Sequence, residues 1–287
     1  MKALSWLLWP PLLQWLKFFD FRSLSQYVNI PKALDSFDAN AEAPPKPIFT
    51  NSNFTNFWII VNWNNTAPLN LNDPNINDAT IKMVNSPNNI YIERDDTNNW
   101  QQQATHLTMR TIRHNDFQSS AELESLSQGF QFISVRMNAR IKGSPGAVTA
   151  MFTYRPFRTP APLPLSRKPT WRSAHAARPC TMDWTPGSST WYVNGQLVSR
   201  ITFQAPRDPA QVMFNTWSDG GSWSGDMQVG TEAYLQKRWI EMVYNNVNLR
   251  AVKQEGCKNV CSIDETTKVG TPVLMSGDQN DYYSQCL

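Results

Sequence analysis

Acidic residues are absent from the middle of this 287-residue chain. The 58 residues from Ser125 to Met182 contain no Asp or Glu, but they contain nine Lys or Arg residues. The rest of the chain is net acidic, so the formal charge of +3 comes from this one segment. Proteins that bind nucleic acids present instead a basic face with interleaved aromatic residues. We therefore expect no nucleic-acid partner.

Long apolar runs are also scarce. The N-terminal segment 1–16 combines Lys2 with an apolar stretch, which is typical of a secretory leader, although no small-residue cleavage site directly follows Leu16. This segment is shorter than the about 20 apolar residues that a membrane-spanning helix needs. Two glycosylation sequons, Asn53-Phe54-Thr55 and Asn64-Asn65-Thr66, agree with secretion. The sequence thus predicts a secreted glycoprotein without stable membrane insertion.

Cysteine and histidine, the residues that most often build disulfides and metal sites, are few. The four cysteines are Cys180, Cys257, Cys261 and Cys286. Their even number, and the position of three of them in a polar tail, predict disulfide bonds, but the pairing stays open. Cys257 and Cys261 have no second ligand pair nearby, and the histidines, His106, His114 and His175, show no ligand spacing. We therefore expect no metal and no cofactor.

Aromatic residues and short alternating runs are, by contrast, abundant. The chain has 12 Trp, 14 Phe and 8 Tyr, and its apolar runs show no helical period. The sequence between 189 and 199 places Asn194-Gly195 between two β-prone runs, which predicts a hairpin with a type I′ turn. Further strands are predicted over 57–63, 79–84, 89–93, 105–111, 130–141, 148–154, 211–216 and 238–244. The predicted fold is an all-β antiparallel sandwich.

The ends of the chain differ in composition from this body. Residues 43–47 read Ala-Pro-Pro-Lys-Pro, which is typical of a stiff connector before a folded domain. We predict a leader and Pro-rich linker over 1–47, a β-sandwich over 48–250 and a Cys-containing tail over 251–287.

Four segments of the body carry a family resemblance. They are 117–125, which begins Phe-Gln-Ser-Ser-Ala-Glu; 130–154, with its Gly-Ser-Pro-Gly turn; 182–195, which begins Met-Asp-Trp-Thr-Pro-Gly; and 215–225, which reads Asn-Thr-Trp-Ser-Asp-Gly-Gly-Ser-Trp-Ser-Gly. In this order they resemble strands and a cleft loop of glycoside hydrolase family 16. The resemblance implies a concanavalin A-like jelly roll and retaining hydrolysis or transglycosylation of β-1,3 or mixed-linkage glucans. It also implies a polysaccharide partner, a monomer and an extracellular or cell-wall location.

The family's catalytic strand has no counterpart in this sequence. That strand reads Glu-x-Asp-x-Glu, and the alternation of a strand places all three carboxyl groups on one face. It would follow Tyr154 within about a dozen residues, by the resemblance, but residues 156–182 hold no carboxylate and six prolines. Since proline cannot donate to a central ladder, we predict an irregular Pro-rich insert there in place of a strand. We assign no catalytic residues.

Other carboxylates remain as weaker candidates. Glu122 and Glu124 share one strand face, Asp219 and Asp226 flank the Gly-rich loop, and Glu241 lies within a strand. Catalysis requires two such groups in one narrow geometry. We expect solvated or hydrogen-bonded structural roles for all five.

Substrate binding can be assigned more directly. Trp184, Trp217 and Trp223 are predicted platforms on which the apolar face of a sugar ring stacks, and Asn215 is a predicted hydrogen-bond donor in the cleft. For Trp184, burial between the sheets is an equal alternative.

Three functions are therefore open. The first is a β-glucan-hydrolysing protein whose catalytic strand is lost, and the second is a non-catalytic, lectin-like protein that holds glucan. The third is a defective product of a mis-joined gene, since a missing central strand would expose ladder edges and core.

Overall fold

The computed structural model describes residues 15–38, 47–65, 79–95, 104–155, 177–203, 205–222 and 224–248, and two short strands at 260–262 and 273–276. Strands make up most of the described chain. The first eight strands are β1 (Trp15–Asp20), β2 (Trp58–Ile60), β3 (Trp63–Asn65), β4 (Lys82–Asn85), β5 (Ile90–Arg94), β6 (Thr105–Arg113), β7 (Phe117–Ser125) and β8 (Phe130–Gly143). The other eight are β9 (Val148–Tyr154), β10 (Arg178–Thr185), β11 (Ser188–Val193), β12 (Gln196–Ile201), β13 (Gln211–Trp217), β14 (Glu232–Asn246), β15 (Val260–Ser262) and β16 (Val273–Ser276). Two one-turn helices, α1 (Pro47–Thr50) and α2 (Ser52–Thr55), precede β2.

The strands form two layers that share β7. The larger layer has the order β12-β11-β10-β8-β14-β6, with β1 beside β14 and β5 beside β6. The smaller layer has the order β2-β7-β13-β9. Residues 117–120 of β7 pair with the larger layer and residues 121–125 with the smaller one. Every named pairing is antiparallel except that of β4 with β7. The predicted all-β sandwich is confirmed.

One hydrophobic core joins the two layers. It includes Phe19 of β1, Trp58 of β2, Phe214 of β13 and Ile240 of β14. The rings of Trp58 and Phe214 meet edge to face with their centres 5.7 Å apart. No helix in the described part of the chain is long and apolar enough to cross a membrane.

In the described residues, the β-sandwich includes a strand that precedes the predicted boundary at residue 48. All six residues of β1 pair with β14, from Trp15 opposite Tyr244 to Asp20 opposite Trp239. Phe19 and Phe21 are buried in the core, and Leu34 packs in a smaller apolar cluster. The apolar segment 1–16 that resembles a secretory leader therefore ends within a core strand. Apolar residues are typical both of a leader and of a buried strand. Residues 1–14 lie outside the described chain.

The predicted hairpin is confirmed. Asn194 and Gly195 have φ angles of 51° and 72°, both in the left-handed region that a type I′ turn requires. Val193 pairs with Gln196 across the turn. β12 is therefore the end strand of the larger layer as described.

The predicted irregular insert ends earlier than residue 182. Residues 178–182 belong to β10, which pairs with both β8 and β11. Pro179 is tolerated because it is the second residue of the strand, and its carbonyl accepts a hydrogen bond of 2.9 Å from the Asn194 amide. Residues 156–176 lie outside the described chain.

Cys180 does not form the disulfide that the even cysteine count suggested. It is a free, buried thiol in the core, and burial raises its pKa to about 11. In the predicted tail, β15 and β16 pair as a separate two-stranded sheet. Cys257 and Cys286 lie outside the described residues.

Candidate functional site

The smaller layer presents a polar row on the face that points away from the core. On β7, Ala121 and Leu123 belong to the core, so the alternation of the strand turns Glu122 and Glu124 to the opposite face. On β13, Val212 and Phe214 are core residues, and the residues between and beyond them, Gln211, Met213, Asn215 and Trp217, share the face of the two glutamates. We call this surface the outer face of the smaller layer.

Glu122 and Asn215 form the centre of the outer face. They are register partners across β7 and β13, and the Asn215 side-chain amide donates to Glu122 Oε2 at 3.2 Å. Both are largely buried, with exposures of 9% and 4%. Among the described residues, Asn215 Oδ1 accepts no hydrogen bond. Buried polar atoms are nearly always paired in native proteins, so this oxygen retains an unused capacity to accept a hydrogen bond among the described residues.

Glu124 is held in a different direction. Its Oε2 accepts a hydrogen bond of 3.0 Å from the side-chain amide of Gln211, which lies two residues beyond its own register partner Met213. Because β7 and β13 are antiparallel, this contact draws the Glu124 carboxylate away from Glu122. A retaining glycosidase needs two carboxyl groups about 5 to 5.5 Å apart. In this structure Glu122 and Glu124 make separate hydrogen bonds, the first with Asn215 and the second with Gln211.

An apolar cluster lies beside the polar row. Val148, Ala150 and Phe152 of β9 pack with Met213 of β13, and the half-buried Trp217 packs against them. Trp217 and Asn215 are two residues apart on one strand and so share a face. An aromatic surface next to hydrogen-bonding groups matches a sugar, whose ring has an apolar face and a polar rim.

Comparison with known proteins gives both sequence and structural relatives. No family model matches the chain. The β-glucanase of Bacillus subtilis (strain 168) is 34% identical over 70 residues, which cover 24% of this chain and 29% of that protein. The β-glucanase of Paenibacillus polymyxa is 34% identical over 65 residues, or 22% of this chain and 27% of that protein. The chain thus spans less than a third of the length of these relatives.

The chain resembles the β-glucanases of glycoside hydrolase family 16.

Two solved structures also match part of this chain. Bacillus licheniformis β-glucanase has a TM-score of 0.48 at 19% identity, over 69% of this chain and 95% of that one. A Bacteroides ovatus family 16 protein in complex with a G4G4G3G product has a TM-score of 0.45 at 11% identity, over 65% of this chain and 94% of that one.

Of the four predicted binding residues, the structure brings Asn215 and Trp217 together on the outer face. Trp184 lies elsewhere. It is 1% exposed in the core, its ring meets Phe132 edge to face at 5.7 Å, and its indole N–H donates to the Pro206 carbonyl at 2.8 Å. A sugar ring cannot reach its face there, so its position is that of the core-packing alternative. Trp223 lies outside the described residues.

The other three candidate carboxylates make structural contacts. Asp219 accepts hydrogen bonds within its own loop. Asp226 pairs with Arg113 at 3.6 Å, and Glu241 of the larger layer pairs with Arg136 at 3.5 Å. These three do not converge with Glu122, since Glu241 belongs to the other layer and the side chain of Asp226 is 68% exposed.

β9 is the last strand of the smaller layer as described. Within the described residues, β9 pairs with β13 alone, so its other edge is the end of the smaller layer. The stretch after Tyr154, where the resemblance places the catalytic strand, lies outside the described chain. The sequence analysis missed Gln211 and the apolar cluster of β9 as part of the outer face, although strict alternation from the core residues Met151 and Val212 identifies them.

Proposed function

We propose that this protein recognises β-glucans on the outer face of the smaller layer, as a family 16-type glycoside hydrolase whose cleavage of O-glycosidic bonds is impaired. The buried Glu122–Asn215 pair beside Trp217 carries this proposal. The similarity to curated β-glucanases supports the substrate class.

The chemistry of the pair favours a neutral polyol. Glu122 supplies a hydrogen-bond acceptor, and Asn215 Oδ1 supplies a second within the described residues. Sugar hydroxyls are donors that match such acceptors, and the adjacent indole of Trp217 offers an apolar surface to the ring. Ligands that lack a hydroxyl offer Asn215 Oδ1 no matching donor.

Impaired hydrolysis follows from the positions of the carboxylates. Retaining hydrolysis needs one carboxyl group to attack the anomeric carbon and another to protonate the leaving oxygen. Glu122 and Glu124 are drawn apart by Asn215 and Gln211. Binding of glucan without turnover is therefore the second candidate function. The separate hydrogen bonds of Glu122 and Glu124 favour it as well. The continuous core between the layers supports a folded product over a defective one.

We expect Asn215→Ala to weaken β-glucan binding about 10-fold, because it removes one hydrogen bond to a sugar hydroxyl. Binding is measured by pull-down on insoluble glucan and by calorimetry with mixed-linkage oligosaccharides. Asn115→Ala, at the exposed turn between β6 and β7, is the matched control and should bind as the wild type does.

Reducing-sugar release from a panel of β-1,3 and β-1,3/1,4 glucans tests the impairment. We expect little or no turnover from a chain that melts cooperatively. Turnover that disappears in Glu122→Gln or Glu124→Gln would contradict the proposal, because it would show that these glutamates act as a catalytic pair.

We further propose that the protein is a secreted, monomeric glycoprotein with disulfides in its tail. Asn53 in α2 and Asn64 in β3 are exposed, so glycans at either sequon would point into solvent. Any leader must be cut before Trp15, because β1 is part of the core. When the protein is expressed through a eukaryotic secretory pathway, glycosidase treatment should lower its mass. The double variant Asn53→Gln, Asn64→Gln should show no such mass loss. A mature N-terminus that sequencing places after residue 15 would contradict the cleavage position.

A further inference from the structure

The loop that follows β13 is closed by one carboxylate. Asp219 is 6% exposed, and its Oδ1 accepts hydrogen bonds from the Gly221 amide at 2.9 Å and from the Ser224 hydroxyl at 2.8 Å. The Gly225 amide in turn donates to the Gly221 carbonyl at 2.8 Å. We call the two contacts of Asp219 Oδ1 the clasp.

The backbone of the same residue anchors the loop to the segment before β4. The Asp219 carbonyl accepts hydrogen bonds from the amides of Thr80 at 2.8 Å and Ile81 at 3.1 Å. Gly220 has a φ of 73°, and a Cβ placed there would lie 2.2 Å from Thr80 Oγ1. The backbone therefore approaches this segment as closely as a residue without a side chain allows.

The anchored loop starts next to the candidate sugar site. Trp217 is the last residue of β13, two residues before Asp219, and it packs against the apolar cluster beside Asn215. Hydrogen bonds hold both the side chain and the backbone carbonyl of Asp219. The backbone that leads from Trp217 to Asp219 is therefore held in one conformation. The orientation of Trp217 on the outer face thus depends on where Asp219 is held.

We infer that Asp219 is a positioning residue for β-glucan recognition, which acts through the clasp by fixing the loop and the Trp217 side chain against the outer face. This inference rests on the proposed function. Asp219 itself lies under the loop and makes its contacts within it, so it is not a sugar ligand.

The loop contains a matched control. Asp226 lies at the other end of the same loop and pairs with Arg113 at 3.6 Å, but its side chain is 68% exposed and it takes no part in the clasp. Replacing either aspartate removes one negative charge from this part of the chain. Only Asp219 removes the clasp.

The test compares Asp219→Ala, Asp219→Asn and Asp226→Ala in the full chain. The measurements are calorimetric affinity for a mixed-linkage β-glucan oligosaccharide and hydrogen exchange of the loop amides. Asp219→Ala should weaken binding about 10-fold or more and speed exchange at Gly221 and Gly225. Asp219→Asn keeps an oxygen that can accept the same two hydrogen bonds and should stay within about 3-fold of wild type. Asp226→Ala should match the wild type in both measurements.

Each outcome decides between the two claims. If the wild type binds glucan and Asp219→Ala binds equally well, the positioning role is wrong while the proposed function stands. If Asp219→Asn binds as poorly as Asp219→Ala, charge and not the clasp matters, and the inference is overturned. If the folded wild type binds no glucan, the proposed function falls and the inference falls with it. Should Asp219→Ala fail to fold, Ser224→Ala removes one clasp contact and must weaken binding for the inference to hold.

Discussion

Replacing Lys237 with Met is expected to stabilise the protein by about 2 kcal/mol at neutral pH, the cost of leaving a buried polar group unsatisfied. Lys237 is 0% exposed. Its Nζ lies 2.9 Å from Met109 Sδ and 4.2 Å from the centre of the Phe214 ring. A thioether is a weak acceptor, and no carboxylate lies within ion-pair distance of this ammonium in the described chain. Methionine fills a similar volume without a charge.

The surroundings of Lys237 leave its charge without compensation. Its register partners are Leu107 of β6 and Ala139 of β8, both buried, and Phe214 of β13 covers it from the smaller layer. The charged residues next to these partners on their strands, His106 and Arg140, alternate to the other face of the sheet. Burial therefore lowers the pKa of Lys237 well below its usual 10.5.

The lowered pKa makes the gain depend on pH. Below pH 10.5 the unfolded chain binds a proton at this lysine that the folded chain binds less readily, so wild-type stability should rise with pH until that value. The advantage of Lys237→Met should accordingly shrink as the pH rises from 7 towards 10. Burial raises the pKa of Tyr91 and Tyr234 above their usual 10, which removes stability only above pH 10. Burial also raises the pKa of Cys180 and lowers that of His114, and both groups titrate in the same way in the two proteins. The difference in stability between wild type and Lys237→Met over pH 6 to 9.5 therefore isolates the lysine.

Urea unfolding of both proteins across this range checks the prediction. Lys142→Met, which changes an exposed lysine of β8, is the control and should alter stability by less than about 0.5 kcal/mol. A Lys237→Met protein less stable than the wild type, or a difference that does not change with pH, would show that Lys237 is compensated in the fold.

Lys237 also illustrates why alternation alone could not complete the fold. The sequence predicted a strand from residue 238, and within it Ile240, Met242 and Tyr244 do face the core. A register shift between Lys237 and Trp239 breaks the alternation, so Leu235 and Lys237 face the core as well. The bulge changes the phase of the alternation at a point where a lysine and not an apolar residue occupies the core position, so the apolar pattern alone does not carry the strand through it.

The candidate binding site, like the strand around Lys237, was predicted only in part. Asn215 and Trp217 follow from the family-like loop and a regular strand, so their shared face was predictable. Trp184 has the same side chain as Trp217, but the two differ in which face of the strand they occupy, and the residue type alone does not fix that face. The backbone carbonyl of Asp219 accepts a hydrogen bond from Thr80, more than a hundred residues away in sequence, and no local pattern encodes this contact.

Replacing Gly146 with Ala is expected to destabilise the protein by about 3 kcal/mol. Gly146 lies in the turn between β8 and β9 with a φ of 85°, where a left-handed alanine costs about 1 kcal/mol. A Cβ there would also lie 2.4 Å from the Asp226 carbonyl oxygen and 2.8 Å from the Met227 amide nitrogen. These are backbone atoms that cannot rotate away, and overpacking of this kind costs about 1 to 3 kcal/mol more.

Gly187→Ala separates the two contributions. Gly187 has a similar φ of 76°, in the turn between β10 and β11, but nothing lies within 4 Å of a Cβ placed there. It should therefore lose about 1 kcal/mol, the left-handed strain alone. Equal losses in the two variants, measured by urea unfolding, would mean that the segment around Asp226 yields freely. Unequal losses, with weaker glucan binding in Gly146→Ala at full folding, would mean that the β8–β9 turn supports the clasped loop from the side opposite Thr80.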